Sequence, residues 1–250
     1  MEYRQLLREL RCLNQPVRAP SRVLGRVLET LEIGDAYAPL ETALGTVYVA
    51  YNRHGISAVL RTQTPEEFEQ EFRRRFGRPI HPAGDAPCWL DNRFDLRNLS
   101  EFERAALMKA LEIPRGEVRT YAWIAAEIGR PGAVRAVGSA LGKNPIPLFI
   151  PCHRVVRSDG HIGEYSMGGP EAKRTLLASE GVEPEMLERM AGAGVRYVGS
   201  ETTQIFCFPT CRAARRITDR HRVMFRSEAK ARAAGYRPCQ ICRPTVALAR

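Results

Sequence analysis

Two short-spaced cysteine pairs, Cys207-x3-Cys211 and Cys239-x2-Cys242, stand 27 residues apart near the end of a 250-residue chain. Two tight turns that each present two thiols are the usual way to build a tetrahedral zinc site. The alternative is four incidental core cysteines. The surrounding stretch has few large apolar residues, so a bound ion would supply much of its folding energy. A disulfide framework is the less fitting reading. The N-terminus, Met1 to Leu13, alternates charged and apolar residues without a signal-peptide core. No stretch approaches the roughly 18 apolar residues of a membrane helix. The expected setting is the cytoplasm, in association with a bacterial nucleoid and away from membranes, where thiols stay reduced. Of the seven cysteines, Cys12 and Cys88 read as ordinary residues.

Charge is concentrated in the same region. The chain carries a formal +10, of which residues 196–250 hold +9 and residues 1–195 only +1. A basic block of this density points to a polyanion, most often nucleic acid. A merely solubilising tail is the competing reading, but aromatics and four cysteines argue for a folded module. The apolar fraction of 44% and charged fraction of 26% are those of a globular protein and exclude collagen-like, coiled-coil and largely disordered chains.

Periodicity divides the chain further. Residues 2–13 and 21–32 have helical spacing, are separated by Pro16 to Pro20, and Ser21 can cap the second helix. Residues 45–50 and 56–61 read as strands joined through Asn52-Arg53-His54-Gly55. A charged helix follows from Pro65, with Gly77 as its C-cap. Residues 79–100 are loop-rich and mark a boundary. An amphipathic helix spans 101–112, Thr120 caps a short helix over 121–128, and a second follows over 133–142 after Gly129-Arg130-Pro131-Gly132. This pair matches a helix-turn-helix, a weak signal by itself. Residues 170–180 are helical, and 183–195, with Pro184 and Ala191-Gly192-Ala193-Gly194, read as a linker. The expected class is α+β. It comprises an N-terminal helical extension (1–34), a small antiparallel-sheet domain (35–93), a mostly helical domain with the helix-turn-helix (94–182), the linker, and the zinc module (196–250).

Pro151-Cys152-His153-Arg154 places a thiol, an imidazole and a guanidinium side by side. Cationic neighbours lower a thiol's pKa and favour the nucleophilic thiolate. His153 can reach Cys152 directly or through a water, and Glu180 is a candidate to orient it. A buried inert cysteine is the alternative. Asn144-Pro145-Ile146-Pro147 through Ile150-Pro151-Cys152-His153-Arg154-Val155-Val156 resembles the active-site signature of the O6-alkylguanine-DNA alkyltransferases. So do Arg135-Ala136-Val137-Gly138, Gly163-Glu164-Tyr165-Ser166 and Leu176-Leu177-Ala178-Ser179-Glu180-Gly181. The resemblance is strong over residues 94–182 and loose over 35–93.

The resemblance implies that Cys152 takes the alkyl group from guanine O6 in one displacement and is consumed, with no cofactor for the transfer. It further implies that His153 accepts the thiol proton through a water, that Glu180 orients His153, and that Tyr121 donates toward the leaving guanine. Arg135 would fill the gap left by the flipped nucleotide, and Asn144 would link the recognition helix to the active-site segment. Val155 and Ser166, with Tyr165, would line the guanine pocket. The partner would be double-stranded DNA carrying alkylated guanine, met by a monomer. A stacked base must be extruded before its O6 can be reached, which is why an inserted side chain and phosphate contacts are needed. Met108 stands where the family often has tryptophan, and Met167 is an extra residue before Gly168-Gly169.

Thr202-Thr203-Gln204-Ile205-Phe206-Cys207-Phe208-Pro209-Thr210-Cys211-Arg212, with Ala234-Gly235-Tyr236-Arg237-Pro238-Cys239, resembles the metal-binding domain of Ada-type alkylation-response proteins. That resemblance implies a zinc held by Cys207, Cys211, Cys239 and Cys242, with Cys207 as acceptor of a methyl group from a DNA phosphotriester. Thr203 and Arg237 would lie near the phosphate, joined by Arg215 or Arg216. Phe208 departs from the family's frequent arginine, and the domain order is inverted. Triester repair and a zinc-stapled DNA-binding module therefore both stay open. Two further classes compete for the whole chain. A non-catalytic DNA-binding regulator of the alkylation response would bind without forming a thioether, and a thiol hydrolase would turn over repeatedly.

Overall fold

A computed structural model describes residues 34–83 and 93–244. The expected helices over 2–13 and 21–32, and Cys12 and Cys88, lie outside the described residues.

The first domain is a four-stranded sheet in the order β3-β2-β1-β4, formed by β1 (Asp35–Thr42), β2 (Gly45–Asn52), β3 (Gly55–Leu60) and β4 (Ile80–Pro82). The β2–β3 hairpin is where the sequence places it. β1 and β4 were not foreseen, because Pro39 interrupts the alternation of β1 and β4 is a three-residue strand inside a proline-rich stretch. β4 runs parallel to β1, so the sheet is antiparallel except at that edge. Successive strand residues face opposite sides. With a β-bulge at Ser57 shifting the register of β3, Val47, Val49, Ile56 and Val59 join the core of the following domain, while Tyr48, Ala50, Ala58 and Leu60 meet Phe68 and Phe72 of α1 (Pro65–Phe76). Thr64 caps α1 and Gly77 closes it at φ 65°.

The second domain contains α2 (Glu101–Leu111), α3 (Tyr121–Glu127), α4 (Val134–Gly142) and α5 (Gly169–Ser179), with a two-stranded parallel pair of β5 (Arg119–Thr120) and β6 (Val155–Val156). Ser100 and Glu103 form a reciprocal capping box at the start of α2. Thr120 accepts a hydrogen bond from the Trp123 backbone at 3.1 Å, which starts α3. α3 and α4 form the expected helix-turn-helix. Val137, Ala140 and Leu141 of α4 are buried, leaving Arg135, Ala136 and Ser139 exposed.

The segment expected as a linker, 183–195, instead contains α6 (Pro184–Gly192). Pro184 sits in the first turn, where its missing N–H costs nothing, and Pro184, Leu187 and Ala191 are buried. The C-terminal module is a second four-stranded sheet, β10-β8-β7-β9, from β7 (Tyr197–Ser200), β8 (Ile205–Cys207), β9 (Arg222–Phe225) and β10 (Arg237–Pro238). One short helix, α7 (Glu228–Ala233), covers it, and Phe206, Phe225, Ala231 and Tyr236 form its own small core. Among the described residues no helix is long and apolar enough to cross a membrane. Ser100→Ala removes one half of the capping box and is expected to lower stability by about 1 kcal/mol in urea unfolding, without loss of α2.

Candidate functional site

The chain reaches Cys152 through a constrained approach. Asn144, just past α4, uses all of its amide. Its Oδ1 accepts from the Ile146 backbone at 3.0 Å, and its Nδ2 donates to the Ile150 carbonyl at 2.9 Å and to Cys152 Sγ at 3.2 Å. Between them Leu148 adopts a left-handed φ of 76°, a conformation that costs a branched residue about 1 kcal/mol or more and persists only where its surroundings fix it. Cys152 then opens a single 3-10 turn, Cys152–Arg154, that feeds β6.

Cys152 is 6% exposed. Burial pushes its thiol up, and the Asn144 hydrogen bond and the charge of Lys173 oppose that shift without cancelling it. This corrects the sequence expectation of a lowered thiol. The His153 ring and the Arg154 guanidinium both bind Glu180. His153 Nε2 lies 3.0 Å from Glu180 Oε1, Arg154 Nη2 donates to the same oxygen at 2.7 Å, and Arg154 Nε donates to Oε2 at 2.9 Å. Burial raises Glu180, but the hydrogen bonds from His153 and Arg154 outweigh it and hold the carboxyl at about 2. An ionised carboxylate only accepts, so Nε2 carries a proton, and in the neutral imidazole Nδ1 holds the lone pair. Nδ1 is buried and bonds no protein atom among the described residues.

The remaining candidates fall in two groups. Tyr165 stands edge-on to the His153 ring at 6.2 Å, its hydroxyl buried and unpaired among the described residues. Tyr121 starts α3; burial, then the charges of Cys152 and Glu164, raise its phenol. Val155 lies in β6, one residue beyond the 3-10 turn. Arg135 and Ser166 are exposed and make no bond to the Cys152–His153–Glu180 group. Met167 is buried in the core, whereas Met108 is 46% exposed. Sequence reasoning missed Lys173. It is fully buried, and its ammonium donates to the Val155 carbonyl at 2.6 Å and the Glu164 carbonyl at 3.3 Å. Burial pushes Lys173 down to about 8, against the opposing charges of Cys152 and Glu164. Its only signal in the sequence is a lysine on the apolar stripe of α5, beside Ala172, Leu176 and Leu177.

In the C-terminal module the four sulfurs of Cys207, Cys211, Cys239 and Cys242 lie within 4.8 Å of one another, all buried. Four thiolates around one zinc at about 2.3 Å would sit roughly 3.8 Å apart, so the cluster fits that ion. The Phe208 amide donates to Cys242 Sγ at 3.4 Å, the kind of outer contact that orients thiolate ligands. Thr203 and Arg237 are exposed at one end of the module, near Gln204, whose carbonyl accepts from the Arg237 backbone at 2.8 Å. Arg215, a sequence candidate for a phosphate contact, instead donates to the Gly116 carbonyl of the second domain. Phe208 has a packing role: it lies 5.5 Å from the Arg119 guanidinium.

The depressed carboxyl of Glu180 gives a pH prediction. Its folded value of about 2 lies below the ordinary 4.5. Its stabilisation is therefore fully present above pH 4.5 and is lost as pH falls from there toward 2. In Glu180→Gln the stability deficit relative to wild type should shrink across that window. A deficit independent of pH in urea titrations would contradict the assignment.

Residues 101–182 match the family described as 6-O-methylguanine DNA methyltransferase, DNA binding domain. Residues 188–245 match the metal binding domain of Ada. A methylated-DNA--protein-cysteine methyltransferase of Rattus norvegicus is 47% identical over 100 residues, covering 40% of this chain and 46% of that protein. Its counterpart in Mycolicibacterium paratuberculosis is 50% identical over 91 residues, covering 36% of this chain and 54% of that one. The chain thus spans about half the length of these curated relatives. A crystal structure of Mycobacterium tuberculosis OGT in complex with DNA aligns at 25% identity and a TM-score of 0.42, covering 61% of this chain and 98% of that one. Residues 101–182 belong to the 6-O-methylguanine DNA methyltransferase DNA-binding family and residues 188–245 to the Ada metal-binding family, joined here in one chain.

Proposed function

We propose that the protein repairs O6-alkylguanine in double-stranded DNA by moving the alkyl group to Cys152, once per molecule. The observation that carries this reading is the buried thiol bound by Asn144, beside a histidine whose free Nδ1 is fixed by the Nε2–Glu180 contact. Relatives named methylated-DNA--protein-cysteine methyltransferases support it.

A thiol held above its ordinary pKa rests as S–H and is inert until a base takes the proton. His153 Nδ1 is the base, acting through a water, and Glu180 stabilises the imidazolium that forms. The Cys152 sulfur then attacks the alkyl carbon, an S–C bond forms, and the C–O6 bond breaks with its electrons leaving on guanine. Tyr121 donates toward the departing base, which is finally protonated. The thioether is stable, so no step returns the thiol. Arg135, exposed among small residues on α4, enters the stack in place of the extruded base, while Asn144 couples that helix to the nucleophile. Val155, Tyr165 and Ser166 line the pocket that receives the base.

For the zinc module we favour DNA binding over methyl acceptance. A zinc ion held by Cys207, Cys211, Cys239 and Cys242 would keep the four thiols deprotonated at neutral pH. Cys207, the acceptor suggested by the Ada resemblance, is only 2% exposed and lies in the face docked against the second domain. Thr203, Arg237 and Arg216 remain exposed for phosphate contacts.

Cys152→Ala should abolish methyl transfer from O6-methylguanine duplexes while leaving DNA affinity within about twofold. His153→Ala should slow single-turnover transfer by about 10²-fold or more. A His153→Ala protein as fast as wild type would contradict the proton path. Peptide mapping after incubation with methylphosphotriester DNA should find Cys207 unmodified, and methyl on Cys207 would overturn the binding-only reading.

A further inference from the structure

The zinc module does not merely follow the second domain in sequence; its cysteine loop grips the segment Gly116–Arg119. Thr210 Oγ1 accepts from the Val118 amide at 2.9 Å, and both residues are buried. The Arg212 amide donates to Glu117 Oε1 at 2.9 Å. Glu117 and Arg119 form an ion pair with each side chain 3% exposed, and the guanidinium lies 5.6 Å from the Trp123 ring and 5.5 Å from Phe208. Arg215 donates to the Gly116 carbonyl. Farther along, Arg243 pairs with Glu127 of α3 at 2.6 Å.

The other side of the same segment faces the nucleophile. The Gly116 amide donates to Glu180 Oε2 at 3.3 Å, and Arg119 pairs with Val155 in the β5–β6 ladder. Gly116 has a φ of +78°, and a Cβ there would come within 2.9 Å of the Glu180 carbonyl. The turn is thus packed directly against the residue that orients His153. Without the module, Val118 N–H loses its acceptor and the Glu117–Arg119 pair loses its cover and one of its donors. Without these contacts the segment is open to water and no longer held to one conformation, and Thr210→Val, which keeps the cover but removes the acceptor, leaves the Val118 N–H buried and unpaired, a cost the segment relieves by shifting.

We propose that Thr210, Phe208 and Arg212 of the zinc module are positioning residues for alkyl transfer at Cys152. They fix Gly116–Arg119, and that segment places Glu180 from one end and Val155 from the other. The inference rests on the alkyl-transfer reading of Cys152 and goes beyond it, because it makes the zinc module part of the guanine-repair site irrespective of its own DNA contacts.

The test uses the full zinc-loaded chain and single-turnover transfer from an O6-methylguanine duplex. Thr210→Val keeps the shape of the side chain and removes the acceptor. It should slow the saturating rate about tenfold, leave the half-saturating DNA concentration within about twofold, and retain zinc. Hydrogen exchange should quicken at the Val118 amide and across β5–β6. Thr210→Ser should restore both rate and protection, and Met224→Ala, on an exposed site of β9, should change neither. If Thr210→Val loses zinc, Glu117→Ala removes the acceptor of the Arg212 amide, the neighbouring contact of the same clasp, from the second domain and should also slow the saturating rate. Faster exchange at Val118 with an unchanged transfer rate would overturn the proposal. So would a slowdown that Thr210→Ser fails to rescue. Wild-type protein that transfers no methyl would overturn the alkyl-transfer reading itself, a result separable from the other two because it appears before any substitution.

Discussion

The carboxylate of Glu180 is the point on which the site depends. Its two oxygens take four donors: His153 and Arg154 on Oε1, and Arg154 and the Gly116 amide on Oε2. A carboxylate that only accepts fixes the direction of every one of these bonds. It thereby sets which nitrogen of His153 is basic, holds the Arg154 fork, and ties the end of α5 to the turn before β5. Arg154 also reaches the Ile113 carbonyl at 2.6 Å, so the end of α2 hangs from the same hub. The charge of Arg154 is used in orienting the base, and burial is left free to keep the thiol protonated at rest.

Around that hub the Cys152 segment is gripped from both flanking domains. On one side the Val59 amide of β3 donates to the Pro145 carbonyl at 2.8 Å, joining the first sheet to the loop that Asn144 organises. On the other, the zinc module clasps Gly116–Arg119. Leu148 keeps its left-handed backbone three residues past Pro145, and the buried Lys173 holds the Val155 carbonyl. A rigid site suits the proposed transfer, in which the sulfur would have to meet one carbon of an extruded base in line, where small misplacements are expensive. The strong net charge lies in a module whose docking consumes Arg215 and Arg243 internally and leaves Arg216 and Arg237 exposed.

The parts legible in the sequence are those whose physics is local. Gly77 closes α1 and Thr120 caps α3, the Asn52–Gly55 turn closes its hairpin, and the paired cysteines converge. Cys152, His153 and Glu180 could be named together because a thiol, an imidazole and a carboxylate form a recognisable set. Effects that arise between distant segments were not legible. The direction of the Cys152 shift depends on burial, which no neighbour in sequence reports. β4 exists only because β1 offers it an edge, and α6 is helical although its Ala-Gly tail suggested a linker. Phe208 departs from the family pattern, and its ring packs against the guanidinium of Arg119, far away in sequence.

The central claim is that the buried Cys152 thiol is the acceptor. Intact mass followed by peptide mapping, on wild-type protein incubated with excess O6-methylguanine duplex, tests it directly. One added methyl per chain, carried on the Cys152 peptide, is expected, with the guanine in the DNA restored. A protein of unchanged mass, or one methylated elsewhere with Cys152 free, would contradict it.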